Sequence, residues 1–243
     1  MNVIGGDALD WNEQLWRYFK IDRFVELIDT GRLYFSSAQE FEDRFEGAVT
    51  VMPAGIQVDP TYTEMESGES AFEQLRRLTK VSCWHRADYE SDAMWKLYAN
   101  RHKGVAIRST PQRIREAAKP YRIKPEFGHE DLFGGNVEYV DLLKERLERT
   151  MLNRFYVKHK AFSWEREFRL VVSVRQAEEF GVQVPERGVL VDFDLDTLVD
   201  KIYLGPSLTQ EDTERIRDAA TRQGLADRIR VSSLLGTPRY IYP

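Results

Sequence analysis

The stretch SWEREFRLVV, residues 163–172, combines an apolar run with a dense group of charges. Its end contains a leucine and two valines in succession, which favours a buried β-strand. Its beginning carries two carboxylates and two arginines. Because side chains two positions apart on a strand point to the same face, Glu165, Glu167 and Arg169 are predicted to project together. The strand is therefore predicted to run into the core with its charged end at the mouth of a sheet.

Two interpretations of this charged end stay open. A half-shielded carboxylate can be oriented and its pKa tuned, which suits a catalytic acid or a group that stabilises a developing cation. The alternative is a solvated or salt-bridged strand end, in which Glu167 pairs with an arginine. The residues of the strand alone are compatible with both.

The segments around this strand predict the fold class. Strands and helices alternate irregularly, without a regular βαβ repeat, which indicates an α+β fold with a mixed, largely antiparallel sheet and flanking helices. No repeat or linker separates two parts, so we expect a single globular domain over residues 1–243. The polar segments 53–70 and 119–135 are predicted to be loops that act as lids, and residues 141–160 to form one long helix.

The composition is typical of an ordered globular protein. Hydrophobic residues make up 42% and charged residues 31% of the chain, which excludes a disordered chain. The net charge of −5 argues against a broad basic surface for nucleic acid. Cys83 is the single cysteine, so no intramolecular disulfide is expected. No basic and apolar leader and no long apolar run are present, so we expect a cytoplasmic protein without a membrane partner.

Several well-defined catalytic motifs are absent from the sequence. The glycine-rich patterns GxGxxG and GxxxxGK[ST] do not occur, nor does the nucleophile pattern GxSxG. HExxH and CxxC are missing as well, and the four histidines are scattered. The sequence therefore predicts no metal site.

Separated blocks of the sequence resemble one known family. The blocks are LWRYFK, GRLYFSSAQEFEDRFEG, VSCWHR, DAMWKLYANRHKGVAI, AFSWEREFRLVV and IYLGP. In this order they resemble the bacterial domain of unknown function 2971, over roughly residues 15–206. Asp43 corresponds to the aspartate of that family's FNDPFEG turn. The family name implies no activity, so a reaction has to be argued from the residues.

The order of these blocks also resembles, remotely, the ADP-ribosyltransferase layout. That layout has a basic or aromatic residue on an early strand, serines on the next strand, and a late strand with Glu-x-Glu whose second glutamate is catalytic. The counterparts here are Arg17 or Tyr18, then Ser36 and Ser37, then Glu165 and Glu167. The resemblance thus implies an ADP-ribosyltransferase-like fold in which Glu167 is the central carboxylate.

The reaction that this resemblance implies is cleavage of NAD by an ADP-ribosyltransferase or NAD glycohydrolase. Loss of nicotinamide passes through an oxocarbenium-like ribose, which Glu167 would stabilise, while Glu165 would orient the acceptor nucleophile. NAD is then a substrate and no metal is required. The acceptor would be water, a protein or a nucleic acid. The resemblance is also compatible with a bacterial toxin or anti-phage defence effector that has a neutralising or defence-system partner protein.

Residues for binding NAD are predicted in the same way. Arg17 or Lys20 would bind the pyrophosphate, and Tyr34 or Tyr98 would stack on the nicotinamide. Tyr98 lies four residues before His102 on a predicted helix, so both are candidates for a pocket edge, and Tyr98 is a candidate catalytic residue. The alternative is a core helix with an aromatic stripe.

Two other classes of function stay open. A metal-dependent nuclease would use carboxylates at a metal and a basic groove for nucleic acid. Its candidate metal ligands are Asp43, Glu46, Glu165 and Glu167, and its candidate groove residues are Arg17, Lys20, Lys158 and Lys160. A non-enzymatic binding module is the third class, in which the charged strand and the helix around Tyr98 only support the fold.

Overall fold

The structure is a computed structural model that describes residues 1–4, 9–43, 45–49, 63–124, 126, 128–145, 147 and 150–240. Its strands are β1 (Asn2–Val3), β2 (Leu15–Phe19), β3 (Arg32–Ser37), β4 (Thr79–Arg86), β5 (Val105–Ser109), β6 (Leu132–Asn136), β7 (Glu138–Val140), β8 (Val157–His159), β9 (Glu167–Ser173), β10 (Val189–Asp192), β11 (Lys201–Leu204) and β12 (Ile229–Val231). Its α-helices are α1 (Ile21–Thr30), α2 (Thr63–Leu78), α3 (Asp92–Tyr98), α4 (Pro111–Ala117), α5 (Arg175–Glu179), α6 (Leu195–Leu198) and α7 (Gln210–Arg222). None of these helices combines the length and the apolarity that a membrane crossing needs.

Several helix ends follow directly from local sequence. Helix α1 ends at Gly31, whose φ of 68° is left-handed and therefore easiest for a residue without a Cβ. Helix α3 begins after Ser91, whose hydroxyl accepts a hydrogen bond from the Met94 amide. Helix α4 begins with Pro111, whose missing amide hydrogen costs nothing in the first helical position.

The chain divides into two compact units, each assembled from three segments. The first unit comprises Met1–Leu9, Tyr34–Trp84 and Pro120–Val191, and the second comprises Asp10–Leu33, His85–Lys119 and Asp192–Pro243. This division does not decide whether the units fold independently. The expectation of one domain over the whole chain therefore stays a prediction.

The strands of the first unit have the order β1-β6-β9-β4-β3-β10. Strands β6 and β9 are antiparallel, with Gly135 opposite Arg169, and β3 and β4 are antiparallel, with Ser36 opposite Val81. Strands β7 and β8 form a separate parallel pair. Strand β9 is buried along almost its whole length, and it carries Glu167 and Arg169 into the interior of the unit.

In the second unit, β5 pairs on one side with β2 and on the other with β11, both antiparallel, and β12 is parallel to β11. An aromatic core forms around β2 and α3, where the rings of Tyr18 and Trp95 meet edge to face at 5.0 Å. Over the described residues as a whole, antiparallel pairings outnumber parallel ones, and helices accompany the strands. The predicted α+β class with a mixed, largely antiparallel sheet is therefore confirmed.

The long helix predicted over residues 141–160 is wrong. This segment instead contains a 3₁₀ helix at Asn153–Tyr156 and then strand β8. The residues Phe155, Tyr156 and Val157 are all buried, and bulky aromatic and β-branched side chains favour an extended chain when both of its faces are covered.

Both predicted loops are also shorter than expected. Helix α2 begins at Thr63, so the second part of the predicted loop 53–70 is helical, while residues 53–62 lie outside the described residues. Strand β6 occupies the end of the predicted loop 119–135. Its residues Gly134 and Gly135 let the N-terminal segment around Met1 and Ile4 approach closely. A Cβ on Gly135 would lie 1.7 Å from the Ile4 carbonyl oxygen.

The predicted strand over residues 163–172 begins later than expected. Residues before Glu167 belong to a 3₁₀ helix, Lys160–Glu165, which ends at Arg166 with a left-handed φ of 42°. Glu165 therefore does not share a strand face with Glu167, and the prediction based on strand alternation fails for it. The prediction holds for Glu167 and Arg169, because these two residues lie on β9 itself.

Candidate active site in a buried charged cluster

A group of charged side chains is buried in the first unit. Its carboxylates come from the turn after β3, from the 3₁₀ helix before β9 and from β9, and its cations come from β8 and β9. This charged cluster consists of Asp43, Glu46, Lys158, Glu165, Glu167 and Arg169. Four carboxylates thus surround two cations, so the cluster carries surplus negative charge unless it binds protons.

Arg169 is the fully buried centre of one half of the cluster. Its Nη1 and Nη2 atoms donate to the two carboxylate oxygens of Glu46 at 2.5 and 2.9 Å, which is a bidentate pair. Its Nε atom donates to Glu167 Oε2 at 2.6 Å, and Nη1 also donates to the Phe155 carbonyl at 2.6 Å. Arg169 therefore fixes one oxygen of Glu167 and both oxygens of Glu46.

Lys158 is the centre of the other half. Its Nζ atom donates to Glu167 Oε1 at 2.8 Å and to Glu165 Oε2. The ring of Phe162 lies 4.7 Å from the same nitrogen and covers it. The side chains of Lys158, Glu165 and Glu167 each keep 7% of their surface exposed, so the cluster is deeply buried and still reaches solvent.

The two glutamates that flank Arg166 differ in proton affinity. Burial raises the pKa of Glu165 to about 7, aided by its hydrogen bond to Glu167 and the charge of that residue. Burial also works to raise the pKa of Glu167, but the positive charge of Arg169, the hydrogen bond from Glu165 and the charge of Lys158 outweigh it, so this pKa lies well below its ordinary value. Two carboxyls with pKa values pushed apart are the arrangement from which acid–base roles are assigned.

The remaining members respond to the same charges. Burial raises the pKa of Glu46, although Arg169 opposes this shift. Glu167 is also held through its backbone, because its amide donates to the Tyr139 hydroxyl at 2.7 Å. The cluster therefore fixes an ionised Glu167 on two sides and places a carboxyl that titrates near neutral pH beside it.

The family comparison applies to the part of the chain that holds most of this cluster. Residues 94–170 match the family model described as Protein of unknown function (DUF2971). The family resemblance predicted from the sequence is confirmed over this segment. The segment includes Lys158, Glu165, Glu167 and Arg169, whereas Asp43 and Glu46 lie before it. No protein in the comparison with curated proteins matches the chain.

Solved structures with a similar chain path come from Thermus sp. 2.9. "Thermus sp. 2.9 DarT in complex with NAD+" is 11% identical with a TM-score of 0.40, and the similarity covers 93% of this chain and 96% of that one. "Thermus sp. 2.9 DarT in complex with ADP-ribosylated ssDNA" is 8% identical with a TM-score of 0.37 and the same coverage. At these TM-scores the similarity decides nothing about the activity of this chain.

The predicted NAD-binding residues of the first unit have structural contacts of their own. The Tyr34 hydroxyl accepts from the Gly188 amide at 2.9 Å and donates to Glu40 at 3.2 Å. Ser37 is buried, and its hydroxyl lies 3.1 Å from the Arg77 carbonyl. Ser36 is half-buried on β3. These contacts stabilise β3 and leave the binding roles of the three residues as predictions.

The other predicted residues lie in the second unit. Tyr18 is buried, and its hydroxyl accepts from the Ser91 amide at 2.8 Å. Arg17 lies on β2 with its guanidinium carbon 5.4 Å from the centre of the Phe19 ring. Lys20 is exposed, and Tyr98 is 49% exposed at the end of α3. Their roles at NAD, and the catalytic role of Tyr98, stay predictions.

The geometry does not suit the nuclease alternative. Glu46 and Glu167 already bind the guanidinium of Arg169, and Glu165 binds the ammonium of Lys158. Within the described ranges, no set of three or more His, Cys, Asp or Glu side chains is arranged to hold a metal ion. Lys158 is buried among these carboxylates, so it does not line a surface groove for nucleic acid.

The sequence did not predict the two ion-pair partners that organise the cluster, Lys158 for Glu167 and Glu46 for Arg169. It indicated Lys158 only as a groove residue and Glu46 only as a metal ligand. A signal was present, because Glu167 and Arg169 on a strand that runs into the core both require opposite charges nearby. The sequence does not indicate which distant residue supplies them.

A second buried carboxylate, in the second unit, has different partners. Glu90 Oε1 accepts from the amide and the hydroxyl of Ser233, both at 2.6 Å. Its Oε2 accepts from Trp95 Nε1 at 2.8 Å and from the Ser232 hydroxyl at 2.6 Å. We call this arrangement of Glu90, Trp95, Ser232 and Ser233 the Glu90 clamp. Burial opposes ionisation of Glu90, but these hydrogen bonds outweigh it and lower the pKa.

Proposed function

We propose that the charged cluster is the catalytic centre of an NAD-utilising ADP-ribosyltransferase or NAD glycohydrolase. The observation that carries this proposal is the pair Glu165 and Glu167, in which one carboxyl is held ionised and its neighbour titrates near pH 7. Cleavage at a glycosidic carbon uses such a pair, one carboxylate for the developing cation and one group for the proton.

Glu167 provides the charge for the first part of the reaction. As the bond between C1′ of the ribose and the nicotinamide nitrogen breaks, its electron pair leaves with nicotinamide and positive charge develops on the ribose. The Glu167 carboxylate is already ionised and fixed by Lys158 and Arg169, so it does not have to reorient when the cation forms. Because carboxylates outnumber cations in the cluster, its net field also favours a cation.

Glu165 accepts a proton in the second part of the reaction. A water molecule or another acceptor forms a bond to C1′ and must lose a proton. The ionised form of Glu165 can take it, and a pKa of about 7 places this base near the optimum for work at neutral pH. The rate is therefore expected to rise with pH through about 7, as Glu165 loses its own proton.

The biological setting belongs to the same proposal. The acceptor would be water, a protein or a nucleic acid, and the chain would act in the cytoplasm as a bacterial toxin or anti-phage effector with a neutralising or defence-system partner. Only the sequence resemblance supports this setting. The roles of Arg17, Lys20, Tyr34 and Tyr98 at NAD have the same basis.

The test is NAD consumption by the purified chain in the presence of EDTA, with a cell lysate as the source of acceptors. Glu167→Gln is expected to lower the rate by about 100- to 1,000-fold, because it removes the charge opposite the developing cation. Glu179→Gln is the matched control, since it changes an exposed carboxylate on α5. Equal rates for the wild type and Glu167→Gln would contradict the proposal.

A loss of folding has to be separated from a loss of chemistry. Glu165→Gln serves this purpose, because a glutamine amide can accept from Lys158 and donate to Glu167 as the protonated Glu165 does. This variant is expected to keep the thermal midpoint of the wild type at about pH 4.5, where Glu165 is protonated, and to lose the rise of the rate through about pH 7. If it keeps that pH profile, Glu165 is not the base.

A further inference from the structure

One carboxylate oxygen of the charged cluster accepts no hydrogen bond from any described residue. Asp43 Oδ1 accepts from the Phe45 amide at 2.8 Å, which holds the turn after β3. Asp43 Oδ2 is buried, and no described residue donates a hydrogen bond to it. The side chain is only 7% exposed. Such an oxygen is uncommon, because a buried carboxylate without a donor loses its hydration and gains nothing in return.

A donor faces this oxygen at a distance too long for a hydrogen bond. Lys158 Nζ lies 4.0 Å from Asp43 Oδ2. An ammonium has three hydrogens, and the hydrogen bonds of Lys158 to described residues use two of them, on Glu165 and Glu167. An acceptor and a donor therefore face each other across a gap. A hydroxyl group suits this gap because it donates and accepts at the same time.

Glu167 provides a second acceptor close by. Its Oε1 atom lies 2.8 Å from the same Lys158 nitrogen. Asp43 and Glu167 thus present carboxylate oxygens at 4.0 and 2.8 Å from one ammonium group. Two adjacent hydroxyls can be bound in such a place, one at each carboxylate, whereas a single hydroxyl leaves one of the two unpaired.

On the basis of the proposed function, we propose that Asp43 and Glu167 together bind the vicinal diol of the nicotinamide ribose. Glu167 accepts from one hydroxyl. The other hydroxyl donates to Asp43 Oδ2 and accepts from Lys158. Asp43 is then a specificity-determining residue that selects a ribose over a deoxyribose, a role distinct from the charge and proton work of Glu167 and Glu165.

The test is a thermodynamic cycle that combines one substitution in the protein with the removal of one hydroxyl from NAD. Affinity is measured by calorimetry in a Glu165→Gln background, which lacks the proposed base and therefore slows turnover, for NAD and for NAD analogues with a 2′-deoxy or a 3′-deoxy nicotinamide ribose. Asp43→Asn keeps an oxygen for the Phe45 amide and places an NH₂ group where Oδ2 was. Glu42→Gln, at the exposed neighbouring position, is the matched control.

With Asp43 present, one of the two deoxy analogues is expected to bind about 10- to 100-fold more weakly than NAD, as for a hydrogen bond to a charged group. With Asp43→Asn, the difference between the same analogue and NAD is expected to shrink to a few-fold at most, about two- to five-fold, because the acceptor of that hydroxyl is gone and only its contact with Lys158 remains. Glu42→Gln is expected to keep the full difference. The readout is the loss of affinity that removal of the hydroxyl causes, since a purely structural role of Asp43 would not change this loss.

The other outcomes are distinct. If both deoxy analogues lose the same affinity with and without Asp43, the inference is overturned, and a water molecule fills the gap. If the analogues lose the same affinity with and without Asp43 while the wild type consumes NAD, the proposed function survives without the diol site. If the wild type neither binds nor consumes NAD, the proposed function fails and this inference with it.

Discussion

The charged cluster and the Glu90 clamp both bury glutamates, but the groups that bind the buried carboxylates differ. In the clamp, neutral donors from Trp95, Ser232 and Ser233 satisfy both oxygens of Glu90. In the cluster, glutamates bind full cations, and one carboxylate oxygen, that of Asp43, has no donor among the described residues. The clamp needs no further donor, whereas the cluster has an unused acceptor.

This difference separates a structural carboxylate from a candidate catalytic one. Burial and a shifted pKa are common to both regions and therefore do not identify a functional site. What differs is whether the chain itself completes the hydrogen bonds. The cluster leaves Asp43 Oδ2 without a donor among the described residues, which is why the proposed chemistry is placed there.

The largest expected effect comes from Arg169. Arg169→Met keeps much of the volume of this fully buried side chain, and it leaves Glu46 without its cation and Glu167 with Lys158 alone. The free energy of unfolding is expected to fall by about 3–5 kcal/mol, the usual result of removing one partner from a buried ion pair. Urea denaturation at neutral pH measures this loss.

The control is an arginine of the same unit at the surface. Arg175 pairs with Glu179, and both side chains are about half exposed, so Arg175→Met is expected to cost no more than about 0.5 kcal/mol. If Arg169→Met costs as little as Arg175→Met, the cluster is hydrated and the contrast with the Glu90 clamp disappears.

A smaller effect is expected from the clamp. In Glu90→Gln one of the two oxygens becomes an NH₂ group that faces donors such as the Trp95 indole, so the free energy of unfolding is expected to fall by about 1–3 kcal/mol. NAD consumption per folded molecule is expected to stay unchanged. Urea denaturation and the NAD assay are run on the same preparation, and a fall in activity without a fall in stability would show that the clamp is not merely structural.

The last expected effect is a difference in how stability depends on pH. The pKa of Glu165 is raised in the fold from 4.5 to about 7, so the fold holds a proton there that the unfolded chain loses. The stability contributed by this proton is complete below about pH 4.5 and is lost as the pH rises to about 7, by at most about 1.4 kcal/mol per pH unit. The pKa of Glu90 is lowered, so its contribution is lost instead as the pH falls below its ordinary value.

Glu165→Gln isolates the first of these trends. Because glutamine does not titrate, the stability of this variant relative to the wild type is expected to rise between about pH 4.5 and 7 and then level off. Thermal or urea unfolding at several pH values measures the difference. A constant difference in stability between the variant and the wild type across this pH range would mean that Glu165 has an ordinary pKa. Its protonation would then not distinguish the cluster from the Glu90 clamp.

The sequence predicted those features that depend on a few neighbouring residues. Gly31 ends α1 because its left-handed φ favours glycine, and Ser91 caps α3 because its hydroxyl reaches an amide in the first turn. The shared face of Glu167 and Arg169 also follows from strand alternation alone. The sequence therefore predicted that this strand places Glu167 and Arg169 together, and the structure confirms it.

The features that the sequence did not predict depend on distant parts of the chain. Residues 141–160 contain many good helix formers, but burial of Phe155 and Val157 gives a 3₁₀ helix and a strand instead. Glu165 reaches the cluster through the left-handed turn at Arg166, which no periodic pattern indicates. The pairing of Arg169 with Glu46 cannot be read from spacing at all.

That pairing has a consequence for the order in which the first unit assembles. Arg169 meets Glu167 two positions away, but its bidentate partner Glu46 is 123 positions distant in the chain. Closing a loop of this length is slow and entropically costly, so it follows the local contacts. Until it closes, the guanidinium has only half of its counter-charge and remains hydrated. Desolvation of Arg169 is therefore expected to be a late event in folding, and the ion pair that orders the charged cluster also marks its completion.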